Sequence, residues 1–155
     1  GVPMGGDLMQ APPDKAPTFL VVAAKDPDGA NLDRIQIVKG WLGQDGVLSE
    51  KVYNVAWSGD RKVDPATGKL PAVGNTVEVE SATYLNSIGA TDLAVVWLDP
   101  DFDAQERAFY YARVLEIPTP RWTTYDAAFF NLELDAEIPR VIQDRAYTSP
   151  VWYTP

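Results

Sequence analysis

The chain has 155 residues, 46% of them hydrophobic and 23% charged, which is the size and balance of one folded domain with a core rather than of a disordered tail. Its 13 basic and 22 acidic residues leave a net charge of −9, which repels phosphate backbones and anionic lipid and argues against nucleic acid as a partner. Histidine and cysteine are both absent, so the Ser/His/Asp triad, the cysteine nucleophile and nearly every zinc or transition-metal site are excluded.

Residues 1–16 begin without methionine and carry neither a basic n-region nor a long apolar h-region, so they read as a leading segment or linker after an internal cut or processed end. No apolar run anywhere approaches the roughly 20 residues of a membrane span. The first strand candidate is "TFLVVAAK" at 18–25, apolar throughout and suited to a central strand. "DPDG" at 26–29 is a turn signal, and 34–41 follows with Ile35, Ile37 and Trp41 on one face. After a second turn signal, "GQDG" at 43–46, residues 48–57 place Tyr53, Val55 and Trp57 at alternate positions. The polar, Gly- and Pro-rich run 58–75 is expected to be a long loop.

In 76–84, Val77 and Val79 alternate with Glu78 and Glu80, which predicts a half-buried strand. "DLAVVWL" at 92–98 is a second continuously apolar strand, and Pro100 suggests a helical turn over 100–106. Strands are predicted at 107–117 and 145–153, with another helical turn at 138–144. About seven strands joined by long loops predict an all-β, immunoglobulin-like β-sandwich forming a single domain over 1–155. Core packing is the expectation for Trp41, Trp57 and Trp97, and Trp122 and Trp152 are the better candidates for exposure.

The chemistry left to such a chain lies in its carboxylates, aromatics and arginines. Asp99, Asp101, Asp103 and Glu106 in "DPDFDAQE" offer several oxygens to a hard cation such as Ca²⁺, although the pattern stops after Glu106 and a turn with a capping aspartate is the favoured reading. Glu116, Asp126, Glu133 and Asp135 are candidates for a glycosidase-type carboxylate pair, against the plainer reading of acids on an acidic surface. In "EIPTPRWTTYDA" at 116–127, Pro118 and Pro120 stop strand pairing and predict an extended strand exit. Arg121 there is a planar fork of donors suited to a phosphate or carboxylate, on a ligand or a neighbouring domain.

"GVPMGGDL", "DPDGANLDRIQIVKGW", "VYNVAWSGDRK", "VVWLDPDFD", "AFYYARVLEIPTPRWTTYDA" and "RAYTSPVWYTP" together resemble the C-terminal portion of the bacterial family called domain of unknown function 3604. Full-length members are similar to the polymerase and histidinol phosphatase superfamily, metal-dependent phosphoesterases whose His-x-His motifs precede this part of the chain. The resemblance implies a non-catalytic C-terminal accessory domain with no cofactor of its own, its divalent metal bound by the upstream hydrolase-like domain that is its partner. It also pairs Tyr110, Tyr111, Arg113 and Val114 with Ser149, Pro150, Val151 and Trp152 as neighbouring strands of one sheet. Arg113, Arg121, Trp122, Thr123, Tyr125 and Trp152 are then the residues expected to face the partner or a ligand. The alternative is a module that binds carbohydrate or another ligand, with Trp122, Tyr125 and Trp152 as its stacking platform. Under either reading an extracytoplasmic location, periplasmic or secreted, is slightly favoured.

Overall fold

The computed structural model describes residues 1–9, 12 and 15–155. The fold is all-β, in two layers. The larger sheet runs in the order β1 (Asp7–Met9), β10 (Val151–Thr154), β6 (Arg107–Glu116), β3 (Leu32–Leu42), β4 (Leu48–Trp57), with β9 (Arg145–Tyr147) also on β6. The smaller layer is an antiparallel ribbon of β2 (Thr18–Ala24) and β5 (Asp92–Leu98). A third, two-residue pairing joins β7 (Thr119–Pro120) to β8 (Val141–Ile142), and α1 (Trp122–Phe130) lies between them in sequence.

Period-two alternation divides each long strand between two faces. On β6, Ala108, Tyr110 and Ala112 point inward and are buried, while Phe109, Tyr111 and Arg113 take the opposite face. Ile37, Ala108, Tyr110 and Tyr153 form the inner core, against which Phe19, Val21 and Trp97 of the ribbon pack together with Trp41 and Val55. Phe19 meets Tyr110 with ring centroids 4.7 Å apart, and Tyr53 meets Trp97 at 4.9 Å. The ribbon's other face is apolar as well, yet Leu20, Val22, Val96 and Leu98 are exposed. A run apolar on both faces is the pattern of a strand covered on both sides, and here only one side is covered.

The pairing expected between 107–117 and 145–153 is present, with an interruption. β9 pairs with Leu115–Arg113 and β10 with Tyr110–Ala108, and the register advances by one residue between them. Thr148 bridges this bulge: its N–H donates to the Ala112 carbonyl (3.0 Å) and its hydroxyl accepts the Ala112 N–H (2.9 Å). Pro150, which has no N–H to give the ladder, falls within the interruption.

Three sequence expectations are corrected. Residues 76–84 form no strand; Glu78 and Thr83 close a tight turn on each other, and Ala82 adopts a left-handed φ of 50°. The Thr76 hydroxyl donates to the Leu85 carbonyl and the Asn75 side chain accepts the Val77 N–H, so this backbone is held by side chains instead of a sheet. The segments 100–106 and 138–144 are turns and a short strand, not helical turns. The helix lies instead at 122–130, in the stretch expected to remain extended. No helix is long and apolar enough to cross a membrane, among the described residues.

Candidate functional site

The acidic run after β5 enters the space between the two layers. Asp99 is buried and its Oδ2 accepts from Lys39 Nζ (2.7 Å) and from the Tyr110 hydroxyl (2.8 Å), while Oδ1 accepts the Asp101 N–H (2.9 Å). Lys39 Nζ also donates to the Asp101 carbonyl at 2.7 Å. The Asp101 carboxylate pairs with Lys51 and accepts from the Tyr53 hydroxyl (2.7 Å). The Lys51 hydrogen bond, followed by that of Tyr53, holds Asp101 below the usual carboxylate range, whereas burial and the facing aspartates push Tyr53 and Tyr110 up. Two lysines thus occupy the oxygens that a Ca²⁺ ion at Asp99 and Asp101 would need. Asp103 spends its carboxylate on the Gln105 N–H (2.8 Å), and no three acids, Glu106 included, converge on a possible metal position among the described residues. The arrangement ties β5 to the large sheet.

The stretch 116–127 turns from strand to helix. β6 ends at Glu116, just before Pro118, but pairing resumes at Thr119–Pro120 as β7, so Pro120 does not stop strand pairing as expected; Arg121 then takes an extended conformation (φ −69°, ψ 155°) as the N-cap of α1. Its backbone N–H donates to the Arg140 carbonyl (2.9 Å), and its own carbonyl accepts the N–H groups of Thr124 (2.8 Å) and Tyr125 (3.2 Å). Asn131 stops the helix in the left-handed conformation at φ 53° and ψ 50°, its N–H returning to the Ala127 carbonyl. The side on which the helix rests on the body is polar: Thr124 is the one buried residue of α1, and its hydroxyl donates to the Arg140 carbonyl at 2.7 Å.

The large side chains of α1 point outward. Trp122 is 65% exposed and Phe129 83%, with Tyr125 and Phe130 also exposed. Trp122, Tyr125 and Phe129 recur at i, i+3 and i+7, so they form one stripe along a helix. The Arg121 side chain is half-buried and makes no hydrogen bond or ion pair among the described residues, and the Thr123 hydroxyl is buried without a partner. Burial, together with Tyr84 and Asp144, raises the Tyr125 phenol.

Arg113 and Trp152 sit elsewhere, on the outer face of the large sheet. Trp152 is opposite Phe109 near the start of β6, and α1 follows the strand's far end. Seven residues of strand, about 23 Å, separate Phe109 from Glu116. Trp122, Tyr125 and Trp152 therefore do not form the single platform expected of them. Trp152 instead continues a row with Phe109 (5.5 Å), Tyr111 (6.4 Å further) and Tyr147 (6.1 Å from Tyr111). Arg113 closes its far end, donating from Nε to Gln36 Oε1 (2.9 Å), and Gln36 donates in turn to Asn54 (2.8 Å).

Phe109 and Tyr147 were not singled out from the sequence, and Tyr111 only as a strand-pairing residue, although alternation along 107–117 already sets Phe109, Tyr111 and Arg113 on one face. Of the carboxylate candidates, Asp126, Glu133 and Asp135 stand in solvent. Glu116 is half-buried, and burial with the nearby Asp144 and Asp26 raises its pKa. Asp33 is the buried acid that sequence reading missed: Arg61 Nη2 lies 2.7 Å from its Oδ1, and Gln143 donates to its Oδ2 at 3.1 Å. Arg61 also donates to the Asp33, Ser58 and Pro71 carbonyls, so it fastens the 58–75 loop to the body.

Residues 1–155 match the family described as protein of unknown function, DUF3604. No curated protein matches the chain, and no solved structure does.

Proposed function

Since the chain belongs to the DUF3604 family over its whole length, we propose that it is a non-catalytic accessory β-domain that packs against a metal-dependent hydrolase-like domain of the same protein. The observation that carries this reading is the inverted helix α1, which rests on the body through Thr124 and turns Trp122, Tyr125 and Phe129 outward. Large apolar side chains sharing an exposed helix stripe mark an interaction surface, whereas singly scattered ones do not. Arg121 at the head of the stripe supplies an unengaged guanidinium suited to a carboxylate of the facing domain. The uncovered outer face of β2–β5 is in keeping with the same reading. The chain's own donors do not fit a hydrolytic metal centre, since they include no histidine or cysteine and no converging acids among the described residues.

The test compares full-length protein carrying Arg121→Ala or Trp122→Ala with the same substitutions in this chain alone. Phosphoesterase activity or domain docking is expected to fall in the full-length variants, while the melting temperature of the chain alone stays within about 2 °C. A large loss of stability in the chain alone would show these residues to be structural clamps. A full-length sequence without a His-x-His metal motif ahead of this region would remove the hydrolase partner.

A further inference from the structure

A second surface, independent of α1, has the make-up of a small-ligand site. Across four adjacent strands, Glu50, Gly40, Phe109 and Trp152 fall in one transverse row, paired in register as Glu50 with Gly40, Gly40 with Phe109 and Phe109 with Trp152. Gly40 makes the row flat. A Cβ at this position would stand 2.4 Å from two carbons of the Phe109 ring, so the ring lies directly over the glycine. Trp152 is half-exposed beside it.

The next row outward places Leu48 opposite Leu42 and Leu42 opposite Arg107. These residues line a groove of about 590 Å³, within the range of about 300–1,000 Å³ typical of small-ligand sites. Glu50 stands on β4 at the end of the first row and Arg107 on β6 in the second, diagonally across β3; both are exposed, and they form no ion pair with each other or with any other group among the described residues.

The chemistry of these walls selects a ligand. An ionised carboxylate only accepts hydrogen bonds and a guanidinium only donates them, so a group that does both, the hydroxyl, satisfies each side in turn. The aromatic floor requires an apolar face between those hydroxyls, as the C–H face of a pyranose provides. One acid and one base cancel, and the net charge of −9 disfavours a polyanion. We infer that the Phe109–Trp152 groove is a binding site for a neutral sugar, with the pyranose ring stacked on Trp152 and Phe109 and its hydroxyls held by Glu50 and Arg107.

Calorimetry and tryptophan fluorescence of this chain with cellobiose, maltose, xylobiose and mannobiose test the inference. At least one disaccharide is expected to bind, with affinity falling about tenfold or more in Trp152→Ala and severalfold in Glu50→Gln, and unchanged in Trp122→Ala. Binding that survives Trp152→Ala, or no binding of any of the four, overturns the site. Tighter binding of a uronic-acid disaccharide than of the neutral sugars overturns the choice of ligand. In full-length protein, Trp152 as inaccessible to acrylamide as a core residue would show that a protein surface covers this face, which also overturns the proposal.

Discussion

Replacing Asp99 by Asn tests the account of how the two layers are joined. The carboxylate and Lys39 are both almost wholly withdrawn from water, with side-chain exposures of 0% and 2%, and meet at 2.7 Å. Together they make four further or shared hydrogen bonds, to Tyr110, to the Asp101 N–H, to the Asp101 carbonyl and to each other. The substitution keeps the shape of Asp99 but removes its charge, leaving the Lys39 ammonium buried with only neutral acceptors. Removing one partner of a buried pair costs about 3–5 kcal/mol, most of it the burden of the stranded charge. With a urea m-value of about 2 kcal/mol per molar, the unfolding midpoint should fall by about 2 M. The assay is equilibrium urea unfolding of the chain, followed by tryptophan fluorescence, since Trp97 and Trp41 flank the site. The double variant Lys39→Met with Asp99→Asn should lose clearly less than the sum of the two single changes, because no charge is then stranded. A single-variant loss below about 1 kcal/mol, or strict additivity, would refute the reasoning.

Other outcomes follow from the same geometry. Gly40→Val should displace the Phe109 ring and destabilise the chain by about 1–3 kcal/mol, read as a lower melting temperature. Trp122→Ser combined with Phe129→Ser should leave the chain's stability unchanged within about 0.5 kcal/mol, read by equilibrium urea unfolding. The raised pKa of Glu116 means that the folded chain binds this proton more tightly than the unfolded chain, so stability falls as pH rises from the usual glutamate value through the raised one. Glu116→Gln should flatten that part of the pH–stability curve. Asp101 acts in the opposite sense: its lowered pKa contributes stability above the usual aspartate value that is lost as pH falls through the folded one, and Lys51→Met should weaken this dependence.

The strands that build the two layers were legible because their patterns report burial. Continuous apolar runs pointed to β2 and β5 and alternation to β3 and β4, and β6 was expected over 107–117, all close to their observed bounds. Alternation misled at 76–84, since a period of two describes the faces of a run but not whether a neighbouring strand exists to pair with it. Helix α1 was missed for a related reason. Its N-cap is Arg121 without a side-chain cap, its first turn has no acid, and its apolar stripe points away from the core that such stripes usually seek. The i, i+3, i+7 spacing of Trp122, Tyr125 and Phe129 and the stop at Asn131 were the available signals. Lys39, polar in sequence and buried in the fold, shows the complementary limit. Its partner Asp99 lies 60 residues away, and only the packing of the ribbon on the sheet brings the two together.

The most direct test of the accessory-domain account is hydroxyl-radical footprinting of Trp122 and Phe129 in the full-length protein and in this chain alone. The account predicts that both side chains are oxidised readily in the isolated chain and protected in the full-length protein, with Thr124 and the inner core unchanged. Equal oxidation of Trp122 and Phe129 in the two proteins would contradict it.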